Sequence, residues 1–126
     1  MENKPIVQRF IEEMGHAKRF HMINKLCSPT FLPNNLPSGI PATREGLKQF
    51  ANAIHHVFPD IHFTIEDMIE EQDKVVIRWN STATHQDNFM GITVTNKLVR
   101  RNGITIYRVQ EKKIVEWCNA SDMLPV

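Results

Sequence analysis

Proton chemistry in this chain has to come from a few titratable side chains set among apolar ones. His85 closes the series Val75, Ile77, Trp79, Ser81, Ala83, His85, which alternates along one face of a candidate strand. A histidine of ordinary pKa, about 6.5, exchanges its proton near neutral pH. His85 is therefore the first candidate for acid–base transfer, and a hydrogen-bonded histidine at a sheet edge is the plainer alternative. Asp67 falls in phase with Phe63 and Ile65 on an apolar face. Pointing inward, it would need a partner such as Arg78 or Arg101; pointing outward, it is a solvated strand-end residue. Trp79, Tyr107 and Trp117 offer flat faces to a planar apolar ligand, or simply fill the core. Asn119 shares a strand face with Val115, Trp117 and Ser121. Its amide can orient a carbonyl or hydroxyl but cannot transfer a proton near neutral pH.

Other chemistries find no support. His16 and His21 do not share a helix face, His55 and His56 are adjacent and point apart, and His62 faces away from its strand's apolar series. No spacing suggests a metal site, and there is no Gly-rich phosphate loop and no nucleophile elbow. No cofactor is expected. Cys27 and Cys118 form neither a disulfide framework nor a ligand pair. Of the 126 residues, 41% are hydrophobic and 23% charged, with a net charge of +1. That balance argues against a nucleic-acid or polybasic membrane surface. No apolar run is long enough to span a bilayer. The first residues, Met1-Glu-Asn-Lys-Pro5, carry no secretory signature. A cytoplasmic location is expected, which makes the sequons at Asn80 and Asn119 chance matches.

The elements that must position these residues read as one domain over 1–126. Helical spacing runs from Pro5 to Leu26, with Gly15 as the expected break. Prolines 29, 33, 37 and 41 exclude regular helix from Ser28 to Thr43 and predict an extended loop, either a rim over a pocket or a packed connection. Thr43 can cap a helix reaching about Val57, with Leu47, Phe50, Ala51, Ile54 and Val57 on one stripe. Pro59 ends it. Ile61, Phe63, Ile65 and Ile69 alternate in a first strand, Val75 to His85 form a second, Lys97 to Val109 a third and Ile114 to Asp122 a fourth. Residues 87–96 connect the second and third. Asn102-Gly103 alone would make a good hairpin turn.

Phe58-Pro59-Asp60, Phe63 to Asp67, Val75 to Trp79 continuing to His85, Phe89 to Ile92, and the closing pair Gly103–Arg108 and Ile114–Asp122 share an order and spacing. Together they resemble the SnoaL-like proteins, the polyketide-cyclase branch of the nuclear transport factor two-like superfamily. The resemblance implies an α+β, cystatin-like fold: N-terminal helices on a strongly curved, mostly antiparallel sheet, making a cone with an internal pocket. It places Asn102-Gly103 inside a strand, where the glycine would mark a bulge. It also implies that Thr105, Tyr107, Trp117 and Asn119 face the interior. The apolar opposite face, with Ile104 and Ile106, would then need a cover, and a homodimer through that face is expected.

Such cyclases close rings by intramolecular aldol condensation without a cofactor, using a catalytic Asp. That position falls here on Asn119, and two supporting polar positions fall on Gly103 and Thr105. His85 matches a histidine found in such cyclases. The resemblance thus points to a protein binding a small hydrophobic, possibly aromatic molecule, with His85 or Asp67 left to move any proton. A non-catalytic binding module or dimeric scaffold is the competing class.

Overall fold

A computed structural model of the chain describes residues 3–84 and 98–122, and the backbone of 124–125. His85, Met90, the 87–96 connection and the Phe89–Ile92 motif lie outside the described residues. Helix α1 (Lys4–Ile11) begins with a proline in its first turn, where the missing N–H costs nothing. It runs on as a π-helical segment, Glu12–His16, and breaks at Lys18, whose φ is +57°. Gly15 is therefore not the break. It lies inside the π turn, where a Cβ would come within 3.2 Å of the Phe63 ring. A 3-10 turn (Phe20–Met22) leads into the short helix α2 (Ile23–Leu26).

The proline-rich stretch is not all loop. Cys27–Asn34 forms a strand, β1, at the edge of the sheet and parallel to β5 (Lys113–Ser121). An edge strand tolerates prolines because only one side of its backbone is paired, and its register shifts between Cys27 and Leu32, around Pro29. Helix α3 (Arg44–Val57) is capped by the Thr43 hydroxyl, which accepts from the Gly46 N–H at 3.1 Å. Any side chain at Gly46 would overlap the Pro41 carbonyl, so this entry turn requires glycine.

Strands β2 (His62–Glu71), β3 (Lys74–Thr84), β4 (Leu98–Gln110) and β5 form an antiparallel meander. The sheet order is β1-β5-β4-β3-β2, and the two-residue strand β6 (Leu124–Pro125) pairs with the start of β4. The fold is α+β with a curled, open sheet. The tight turn between β4 and β5 is Glu111-Lys112, with both φ values positive, as a type I′ turn demands. Asn102-Gly103 lies inside β4, but without a bulge: β3 and β4 pair in unbroken register from Lys74↔Arg108 to Thr84↔Leu98. The glycine serves close approach instead. A Cβ there would overlap the Trp79 indole, which lies against the Gly103 backbone.

Burial alternates strictly along β4, with Val99, Arg101, Gly103, Thr105, Tyr107 and Val109 inward. Val7, Phe10, Ile23 and Leu26 of the N-terminal helices pack with Val75, Ile77, Tyr107 and Trp117 of the sheet. A second cluster sets Ile54, Val57 and Phe58 against Ile61, Ala83 and Val99. Burying each Val, Leu, Ile or Phe side chain among these stabilises the fold by about 1.5–3 kcal/mol through removal from water. No helix among the described residues is long and apolar enough to cross a membrane.

Candidate functional site

Between the helices and the inner sheet face lies a cavity of about 140 Å³, walled mainly by apolar side chains. The helices contribute Phe10, Met14 and Gly15 to it, and β3 contributes Ile77 and Trp79. Period-2 alternation puts Arg101, Thr105 and Tyr107 on its β4 wall, and Trp117 with Asn119 on its β5 wall. The five residues expected to meet a ligand, Trp79, Thr105, Tyr107, Trp117 and Asn119, thus border one space.

A directional hydrogen-bond chain crosses this wall. The Trp79 indole Nε1–H donates to Thr105 Oγ1 at 2.9 Å, and the Thr105 hydroxyl donates to Asn119 Oδ1 at 2.7 Å. An indole nitrogen can only donate, so the single hydroxyl proton of Thr105 is left for Asn119. That bond fixes the orientation of the Asn119 amide, whose N–H₂ and second oxygen lone pair have no partner among the described residues and can meet a ligand. The Asn119 backbone carbonyl accepts from Asn35 Nδ2 at 3.2 Å, tying the loop after β1 to this strand. Tyr107 is buried, and its hydroxyl is bonded by the Trp117 side chain; burial pushes its pKa well up, so it stays protonated.

Two further polar groups border the cavity: Arg101, on the same β4 face as Thr105 and Tyr107, and His55, which was not expected there. Arg101 is only 8% exposed; its Nη2 donates to Ser121 Oγ at 3.0 Å, and its guanidinium lies 5.7 Å from the Trp79 ring centre. Burial is the cause that lowers its pKa, and the Asp122 charge opposes that. His55 also lines the cavity, beside the Phe20 ring at 5.3 Å, and its Nδ1 has no hydrogen-bond partner among the described residues. Burial and then the Lys18 charge hold its pKa below the ordinary histidine value, so it is neutral at pH 7. The signal for His55 was present: it stands four residues after Ala51 and eight after Leu47, on the α3 apolar stripe. Weighing it only against His56 concealed that.

Asp67 is not at the cavity. A bulge in β2 shifts the register between Ile65 and Asp67, so Met68 rather than Asp67 continues the inward series of Phe63 and Ile65. Asp67 faces solvent, 53% exposed, and accepts from Arg78 Nε at 2.7 Å. The same shift leaves Ile69, expected on the apolar face, 62% exposed. Asp122 accepts from the Asn102 backbone N–H at 2.7 Å and ties the end of β5 to β4. No group of three or more His, Cys, Asp or Glu side chains among the described residues is placed to hold a metal ion.

Solved structures share this architecture. A candidate polyketide cyclase from Bacillus cereus is 31% identical, with 93% of this chain and 72% of that chain covered and a TM-score of 0.78. One from Acidithiobacillus ferrooxidans is 24% identical, covering 97% and 89%, with a TM-score of 0.80. AclR from Streptomyces galilaeus, a candidate hydroxylase, is 24% identical, covering 98% and 83%, with a TM-score of 0.77. No curated protein matches the chain. The family model for SnoaL-like polyketide cyclases matches residues 5–126, and the chain belongs to that family.

Proposed function

We propose that this protein binds a small, largely apolar molecule, of single-ring size, in the cavity between helices and sheet. The Trp79–Thr105–Asn119 chain carries this reading: a fixed polar relay, opening onto a mainly apolar space, orients one end of a ligand. The volume supports a small occupant, since a dry cavity of about 150 Å³ accepts benzene. By the family resemblance, Asn119 stands where cyclases carry the catalytic Asp, and no carboxylate is among the described lining residues. Proton transfer, where it occurs, then falls to histidine. His85 is the candidate by resemblance and His55 by position, each acting with Asn119 on a carbonyl in a cofactor-free isomerase- or cyclase-type step. We do not propose Asp67, which is solvated and paired with Arg78.

The absence of a lining carboxylate equally favours a non-catalytic binding module. Neighbours described as cyclase and hydroxylase share one fold, which cannot choose between these classes. Titration calorimetry with toluene and p-cresol tests the shared core of both. Saturable binding in the native protein, lost in Ala51→Phe, which fills the cavity, is the expected result; absence of binding by the native protein overturns the reading. Exposed Ile104 and Ile106 support a homodimer through the outer sheet face. The free cysteines Cys27 and Cys118 fit a reducing, cytoplasmic compartment.

A further inference from the structure

We propose that the ligand carries a carboxylate, held by Arg101, on a single-ring apolar body; this rests on the cavity being a ligand site. Arg101 sits mid-strand on the inner face of β4, 8% exposed, and borders the cavity. A buried cation normally comes with an anion, because leaving water is costly unless the charge is compensated. Among the described residues Arg101 makes no ion pair, and the exposed Asp122 carboxylate acts on it only through its charge. Asp122 offers it a hydrogen bond only through its backbone carbonyl, 3.5 Å from Nε, while the Asp122 carboxylate is engaged by Asn102. The buried acid among the described residues, Glu13, pairs with Arg19 at 3.3 Å. Ser121 Oγ and the face of Trp79 complete the surroundings of the guanidinium.

The bonds to Ser121 and Asp122 use two of the five guanidinium N–H groups. The remaining fork suits a carboxylate, which accepts two parallel N–H bonds, better than a single carbonyl oxygen. The Asn119 amide N–H₂, fixed by Thr105, is a further donor on the neighbouring strand. Among the described lining residues the one permanent charge is therefore positive, and every fixed donor is suited to an anion. The apolar ring of the ligand would lie among Phe10, Ile77, Tyr107 and Trp117. Nothing in this binding step forms or breaks a covalent bond.

The test compares sodium benzoate, benzamide and toluene by titration calorimetry. Benzoate should bind at least about tenfold more tightly than benzamide, as expected for charge-assisted over neutral hydrogen bonds. Arg101→Met should abolish that preference, with toluene still bound. Arg101→Lys, which keeps the charge and loses the fork, should give a preference between the two. Equal affinity for benzoate and benzamide in the native protein, with toluene bound, overturns the carboxylate while leaving the cavity reading intact. Failure of all three probes to bind overturns both. If Arg101→Met does not fold, the native benzoate-to-benzamide ratio and the Lys variant still decide.

Discussion

Thr105 serves two partners with one oxygen, accepting from Trp79 and donating to Asn119, and it is 3% exposed. Thr105→Val keeps the shape and strands both partners, at a cost of about 1–3 kcal/mol. Urea unfolding should show that loss, and an unchanged midpoint would mean the chain contributes nothing to the fold. Gly103 has the opposite constraint, since there is no room beside the Trp79 ring. Gly103→Ala should push the indole off Thr105 and cost about 1–3 kcal/mol through overpacking. Altered near-ultraviolet circular dichroism of the tryptophans would report the displacement, and a spectrum identical to the native one would contradict it. His55 gives a pH signature. Its folded pKa is depressed, so the unfolded chain takes up the proton first as the pH falls. Its contribution to stability is present above about pH 6.5 and declines from there toward the lower folded pKa. Between pH 7.5 and pH 5, the native protein should lose more melting temperature than His55→Gln; equal losses would contradict the burial argument.

Strand alternation was legible wherever register runs unbroken, and failed where it does not. Along β4 the period of two gave the inner face from Arg101 to Tyr107 directly. In β2 the same rule misassigned Ile69 and set Asp67 in phase with the apolar face, though its solvent-facing alternative holds, because one bulge reverses every side chain beyond it and leaves no mark in the residue types. The prolines of β1 read as loop because proline is excluded from paired strand interiors, but the rule is lenient at a sheet edge. Gly15 read as a helix break, whereas the need for it comes from Phe63, which is distant in sequence. Glu111 and Lys112 hold the β4–β5 turn with φ values of 50° and 65°, a conformation that costs side-chain-bearing residues about 1–2 kcal/mol each. Lys112→Gly should therefore stabilise the protein by up to about 1 kcal/mol net of glycine's entropy cost. The gain would appear as a rise of a few degrees in melting temperature, and a fall would show that the lysine side chain matters to the turn.

At the scale of the whole molecule, the two sheet faces differ in what they meet. The inner face, covered by the helices, borders the cavity. On the outer face, register aligns Ile69, Val76, Ile106 and Cys118 in one row, with Ile104 and Ala120 beside it. Ile104 and Ile106 are 50% and 40% exposed, an apolar surface suited to a second copy. Light scattering should give a dimer mass for the native protein and a monomer mass for Ile106→Lys; a monomer at every concentration would remove the dimer. The cavity itself can be followed with little ambiguity, because the chain has only two tryptophans and both border it. The most direct measurement is a ¹H–¹⁵N spectrum of the two indole N–H signals during titration with toluene. Both should move together and saturate as the cavity fills. Indole signals that stay fixed, while amides of the outer sheet face shift instead, would contradict a ligand site between helices and sheet.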